Sequence, residues 1–272
     1  MIRQSSVAGQ FYPGSPRELT YMIRAFLGNA ENLDVKGKIS GLVAPHAGYI
    51  YSGQRAAEAY KSLSGKMFKN VLVISPSHRD FFDFISIYPG EGYETPLGIL
   101  ERTEDFDTLI ESSTGCRFSE SGHGFEHALE VQLPFLQVVL GDGFRLLPVV
   151  MGNQDEKNIE YLAHFLKAAK GQDPDLLIIA SSDLSHFHDS ETARRMDGMW
   201  INAMKKYDIE TLENYFFSET CEACGGGGII ALMKALYSDN TQIRVTGYTH
   251  SGEINRDDSS VVGYTSAVIS EV

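Results

Sequence analysis

"DLLIIASSDLSHFHD" (residues 175–189) passes from an unbroken apolar run directly into serines, an aspartate and two histidines. A short continuous apolar run is what a strand buried on both faces looks like, and such strands belong to parallel sheets covered by helices. The same punctuation occurs twice upstream. In "ISGLVAPHAG" (39–48) the run is cut by Pro45 with His46 behind it, and in "NVLVISPSHRD" (70–80) the run Val71 to Ile74 ends at Pro76 and His78. Further strands are expected at "RLLPVVMG" (145–152) and "SSVVGYTSAVIS" (259–270).

Helical spacing fills the intervals. "SPRELTYMIRAFL" (15–27) offers Ser15 as N-cap, Pro16 at the first helical position and Glu18 three residues after the cap, a capping box. Leu19, Met22, Ile23 and Phe26 then make one apolar stripe. Residues 52–63, 158–170 and 190–207 carry similar patterns, whereas 81–105, with shorter runs and more Gly and Pro, reads as hairpin-like. Strands alternating with helices predict an α/β fold: a single domain over 1–272 with a largely parallel central sheet flanked by helices on both faces.

Composition narrows the function. The 272 residues include 43% hydrophobic and 22% charged residues, ordinary for a globular chain, and no stretch approaches the roughly 20 apolar residues that cross a bilayer. The first residues lack the apolar core of a signal peptide, so a cytoplasmic location is expected. A net charge of −13 disfavours nucleic acid as a partner. Three cysteines, Cys116, Cys221 and Cys224, are too few for a disulfide framework. The expected partner is a small-molecule or peptide ligand; oligomeric state is not readable.

Ligands in open α/β sheets bind outside the carboxyl ends of the strands, so three strand ends carrying histidine converge on one place. His46 and His78 are there a natural pair of ligands for a first-row transition metal. A third donor is expected from "CEACGGGGIIALMKAL" (221–236), where Cys224 precedes glycines and a run of helical potential. A helix beginning there, or a metal, would favour the thiolate. No Lys-Ser/Thr follows the glycines, which argues against a phosphate loop. Asp183 beside His186 reads as an aspartate orienting a general acid/base. In "HGFEHALEVQLPF" (123–135), His127 and Glu130 would share one face of a helix that Pro134 kinks or delimits, contacting substrate or supporting the ligands. No G-x-S-x-G elbow accompanies the serines near these histidines, which argues against a hydrolase triad.

"VAGQFYPGSPREL", "APHAGYIYSG", "SPSHRD", "HALEVQLPFLQ", "SSDLSHF", "CGGGGI" and "SSVVGYTSAV" occur in this order, and together they resemble the Memo family from about residue 3 to the last strand. The resemblance implies a fold related to class III extradiol dioxygenases, which are non-haem iron enzymes. It implies metal-site roles for His46, His78 and Cys224, with Asp183 and His186 beside them. In those dioxygenases a carboxylate stands where Cys224 stands here. A thiolate is softer and oxidisable, and draws copper(I) or zinc. The human family member is associated with phosphotyrosine-peptide binding, copper-dependent redox chemistry and iron binding. The expectation is therefore a metal-dependent redox enzyme using iron(II) or copper, with zinc as a further choice. The alternative is a non-enzymatic module that binds a peptide or small anion in the same cleft.

Overall fold

The apolar runs form the middle of an eight-stranded sheet in the computed structural model, which describes residues 1–272. In chain order its strands are β1 (Lys38–Ala44), β2 (Asn70–Pro76), β3 (Ile85–Ile87), β4 (Cys116–Phe118), β5 (Arg145–Met151), β6 (Leu177–Ser181), β7 (Thr241–Val245) and β8 (Ala267–Glu271). Across the sheet they lie in the order β7, β8, β1, β6, β2, β5, β3, β4.

Parallel pairing holds the centre and recurs at one edge, where β3 pairs with β4. β1, β6, β2 and β5 run parallel, while β8 is antiparallel to β1, β7 to β8 and β3 to β5, so the sheet is mixed rather than largely parallel. The expected final strand 259–270 is also two strands. Val261–Tyr264 pairs with His186–His188 and Thr249–His250 in a small separate sheet, and only Ala267–Glu271 joins the main one. The break falls at Thr265 and Ser266, whose hydroxyls donate to the carbonyls of Gly247 and Arg55. Residues 81–105 do contain a hairpin, Gly92–Thr95 with Gly98–Glu101.

Because strand side chains alternate between faces, each central strand supplies two cores. Leu72, Ile74, Ile178 and Ala180 face one layer of helices: α4 (Glu156–Gln172), α5 (Ser190–Lys205), α6 (Ile209–Phe217) and α7 (Gly226–Leu236). Val71, Val73, Leu177 and Ile179 face the other: α1 (Pro16–Asn29), α2 (Tyr49–Tyr60) and α3 (Leu133–Leu140). Ser15 caps α1 through the N–H of Glu18, and Leu19 and Ile23 are its buried stripe. No helix is long and apolar enough to cross a membrane.

The topology fixes where chemistry can gather. β1, β6 and β2 are neighbours pointing the same way, so the residues following them, His46, Asp183 and His78, leave the sheet along one edge. α7 packs in the same core as β6 and brings its N-terminal end, with Cys224, to that edge.

Candidate metal centre

His46, His78 and Cys224 offer donor atoms that all lie within 4.8 Å of one another. His46 is 2% exposed and His78 stands at the solvent edge, so the cluster sits at the mouth of the strand-end cleft rather than in the core. The Cys224 sulphur is 3.1 Å from Nε2 of His46 and accepts the backbone N–H of Asp183 at 3.3 Å. Burial pushes the Cys224 thiol up, and the nearby Asp183 carboxyl adds to this. Burial, then the neighbouring His78, pushes the His46 imidazole down, keeping it neutral and able to donate a lone pair.

The other nitrogen of each imidazole is already engaged. Nδ1 of His46 lies 2.9 Å from the Ser181 hydroxyl, and Nδ1 of His78 lies 2.9 Å from the Glu126 carboxylate. Metal-binding histidines characteristically have their second nitrogen held in this way. Glu126 also accepts the backbone N–H groups of His78 (2.6 Å) and Ala128 (2.9 Å). Burial acts to raise the Glu126 carboxyl, but the hydrogen bonds from His78 outweigh it and hold it below the usual range. The donor set, one buried and one rim imidazole with a thiol, suits a first-row transition metal.

The glycines after Cys224 have a steric reason. A Cβ on Gly225 would stand 2.3 Å from the Ser181 carbonyl oxygen and 2.9 Å from the Ser182 side chain, so only glycine lets the start of α7 press against the end of β6. Gln154 completes the junction, donating to the Cys224 carbonyl (2.7 Å) and accepting the Gly227 N–H (2.9 Å).

Asp183 has a different partner from the one its sequence position implies. Its carboxylate accepts the backbone N–H of His46 at 2.8 Å and so braces the His46 loop, instead of bonding the His186 ring. Burial pushes it up to about 7 against the restraining N–H groups of His46 and Ala47. His186 lines a cavity of about 630 Å³ together with Cys224, Glu222 and Phe216. Burial lowers its imidazole too. His188 is half-buried against Glu222 at 2.9 Å.

The segment 123–135 is a loop before it is a helix. Glu130–Gln132 is a 3₁₀ turn and α3 starts only at Leu133, with Pro134 in its first turn, so His127 and Glu130 do not share a helical face. Pro134 marks the start of the helix because its missing N–H costs nothing there. The His127 ring still joins the cluster, its centroid 4.8 Å from that of His78 and 5.4 Å from that of His46. Burial pushes it down to about 4. Glu130 lies apart, fully buried in an ion pair with Arg3 and accepting the N–H groups of Ser6 (2.8 Å) and Val7 (3.1 Å) and the Tyr12 hydroxyl. Arg3 donates onward to the carbonyls of His123 (2.9 Å) and Glu126 (2.7 Å), tying the N-terminal segment to the loop that carries Glu126 and His127.

Sequence reasoning missed Glu126, Ser181 and Arg3. A carboxylate directly before His127 was a usable signal for the first; an isolated arginine near the N-terminus carries none for the last.

The α/β chain gathers two imidazoles from strand ends and a thiol from the start of a helix into a group that could hold a metal ion. A family profile described as Memo-like protein matches residues 3–268. The chain is 34% identical to a MEMO1 family protein of Thermoplasma volcanium and 35% identical to one of Thermoplasma acidophilum, each over 98% of both chains. It is 36% identical to a MEMO1 family protein of Thermotoga neapolitana over 99% of this chain and all of that one. The chain belongs to the Memo family.

Proposed function

We propose that this Memo family chain is a metal-dependent redox enzyme with a mononuclear centre formed by His46, His78 and Cys224, using iron(II) or copper. The observation that carries the reading is the convergence of these three donors with the second nitrogen of each histidine already engaged. Such an ion would supply electron transfer and Lewis acidity. We extend the proposal to a fold relationship with class III extradiol dioxygenases, with Cys224 in place of their carboxylate. That exchange favours copper(I), and also zinc, more than a harder donor set would.

In this reading the chain's own residues bind and orient. Asp183 holds the His46 loop, and Glu126 holds the His78 ring. The neutral His186, on the wall of the cavity that reaches Cys224, takes a proton from the ligand, and His127 assists from beside the His46 ring. The Cys224 thiol has to stay reduced to serve, so a cytoplasmic setting is part of the proposal.

Elemental analysis of protein purified without chelators or an affinity tag tests this, with His46→Ala and Cys224→Ser as comparisons. Stoichiometric iron or copper lost in both variants is expected. No bound metal, together with no uptake of added iron, copper or zinc, would overturn the reading and turn attention to a module that binds a peptide or small anion in this cleft.

A further inference from the structure

We infer that Ser181 is a positioning residue that fixes His46 in the tautomer with its proton on Nδ1, leaving Nε2 as a bare lone pair facing Cys224. The argument is a count of protons along one buried chain of hydrogen bonds. Ser181 is 1% exposed and Gln132 is completely buried, so each proton has to find a partner within the protein.

The count begins at Gln132. Its side-chain amide lies 3.0 Å from the Pro45 carbonyl, which can only accept, so the nitrogen and not the oxygen faces that way. The amide oxygen is then left for the Tyr60 hydroxyl at 2.9 Å, and the second amide proton points to the Ser181 oxygen at 2.7 Å. Ser181 therefore receives a proton from Gln132. Its own single proton goes to the buried Ala128 carbonyl at 2.7 Å, again a pure acceptor. A serine oxygen has one proton and two lone pairs. With the proton on Ala128 and one lone pair on Gln132, only a lone pair remains for His46 Nδ1 at 2.9 Å. Nδ1 must carry a proton to donate there.

The neutral imidazole then has no proton on Nε2, the atom 3.1 Å from the Cys224 sulphur. The opposite tautomer would aim an N–H at the sulphur and put two lone pairs, on Nδ1 and on Ser181, against each other. Glu126 engages Nδ1 of His78 in the same way, but with a carboxylate that brings a negative charge to the ring. A neutral serine fixes the His46 tautomer without adding charge beside the thiol.

Long-range 1H–15N correlation spectra of the metal-free, 15N-labelled full chain at neutral pH read the tautomer directly. A protonated Nδ1 and an unprotonated Nε2 are expected for His46 in the wild type. Ser181→Ala should bring in a population with the proton on Nε2 and weaken binding of zinc alone by roughly tenfold or more. Ser181→Thr, which keeps the hydroxyl, should restore both. A wild-type His46 protonated on Nε2, or a Ser181→Ala spectrum with an unchanged His46, would overturn the inference. Should Ser181→Ala fail to fold, the wild-type spectrum alone decides. Zinc affinity rests on the metal-centre reading, whereas the tautomer does not: the expected tautomer in a protein that takes up no metal would sink the proposed function and leave this inference standing.

Discussion

The sulphur of Cys224 and Nε2 of His46 face each other at 3.1 Å across a gap that no backbone atom divides, although the two residues are 178 positions apart in sequence. A metal held between them has to show sulphur ligation. Cobalt(II) added to the wild type should give an intense near-ultraviolet sulphur-to-metal charge-transfer absorption. Cys224→Ser should lose that band while retaining weaker absorption from histidine ligation. A band of equal intensity in Cys224→Ser would remove the thiol from the centre.

Glu126 holds His78 by its ring and by its backbone at once. Glu126→Gln puts an amide N–H₂ among groups that are themselves donors. Zinc affinity, followed by competition with a chromophoric chelator, should fall by about 10–100-fold. Far-ultraviolet circular dichroism should stay unchanged. An affinity within twofold of wild type would show that the carboxylate does not serve the metal.

Arg3 and Glu130 form a buried pair with side chains 4% and 0% exposed. Removing one partner of such a pair strands the other charge and costs about 3–5 kcal/mol. Arg3→Met should lose stability on that scale in urea denaturation. Glu130→Gln should lose stability on a similar scale, because its one amide oxygen can accept the Ser6 or the Val7 N–H but not both, and the Arg3 charge is left without its carboxylate. A loss under about 1 kcal/mol in Arg3→Met, small for any buried pair, would contradict this account.

His123 supplies a pH dependence away from the cluster of His46, His78 and Cys224. Its Nδ1 lies 2.6 Å from the Tyr93 hydroxyl, its Nε2 lies near the Ser86 carbonyl, and burial pushes it down to about 3. The unfolded chain binds the proton near pH 6.5 while the folded chain does not. Stability is therefore complete above about pH 6.5 and declines as pH falls toward 3, by up to about 1.4 kcal/mol per pH unit from this one group. Urea midpoints measured between pH 7 and 4 should decline more gently in His123→Gln. Parallel curves for the two proteins would remove His123 as a cause.

The central strands were legible because burial on both faces writes an apolar run with a sharp end, as at Ile74 and Ile179. The flanking strands were not, because direction is set by partners distant in sequence: nothing local to Ala267–Glu271 says that it runs against Lys38–Ala44. The same division holds at the site. His46, His78 and Cys224 stand out as residue types placed at strand ends and before a helix. Ser181 looks like any serine, and its meaning comes from Gln132 and Ala128, which reach it from another loop. The Asp183 carboxylate meets the His46 backbone N–H rather than the His186 ring, since sequence adjacency to His186 says nothing about the strand next door. Glu130 sits in a motif with His127 yet turns toward the N-terminal segment, because the chain between them is a turn rather than a helix.

The parallel order of β1, β6 and β2 also has a thermodynamic consequence. The donors come from positions 46, 78 and 224 and meet only when those strands and α7 are assembled, so an unfolded chain presents nothing comparable to an ion. A metal ion bound as proposed would then act by mass action as a stabiliser of the folded state alone. At a free concentration 100 times the dissociation constant the gain is about 2.7 kcal/mol. For a chain of this size that corresponds to a rise in the thermal midpoint of roughly 5–10 °C. Heating the protein with and without the ion therefore measures, in one experiment, both occupancy of the site and the cooperative assembly of the sheet that builds it.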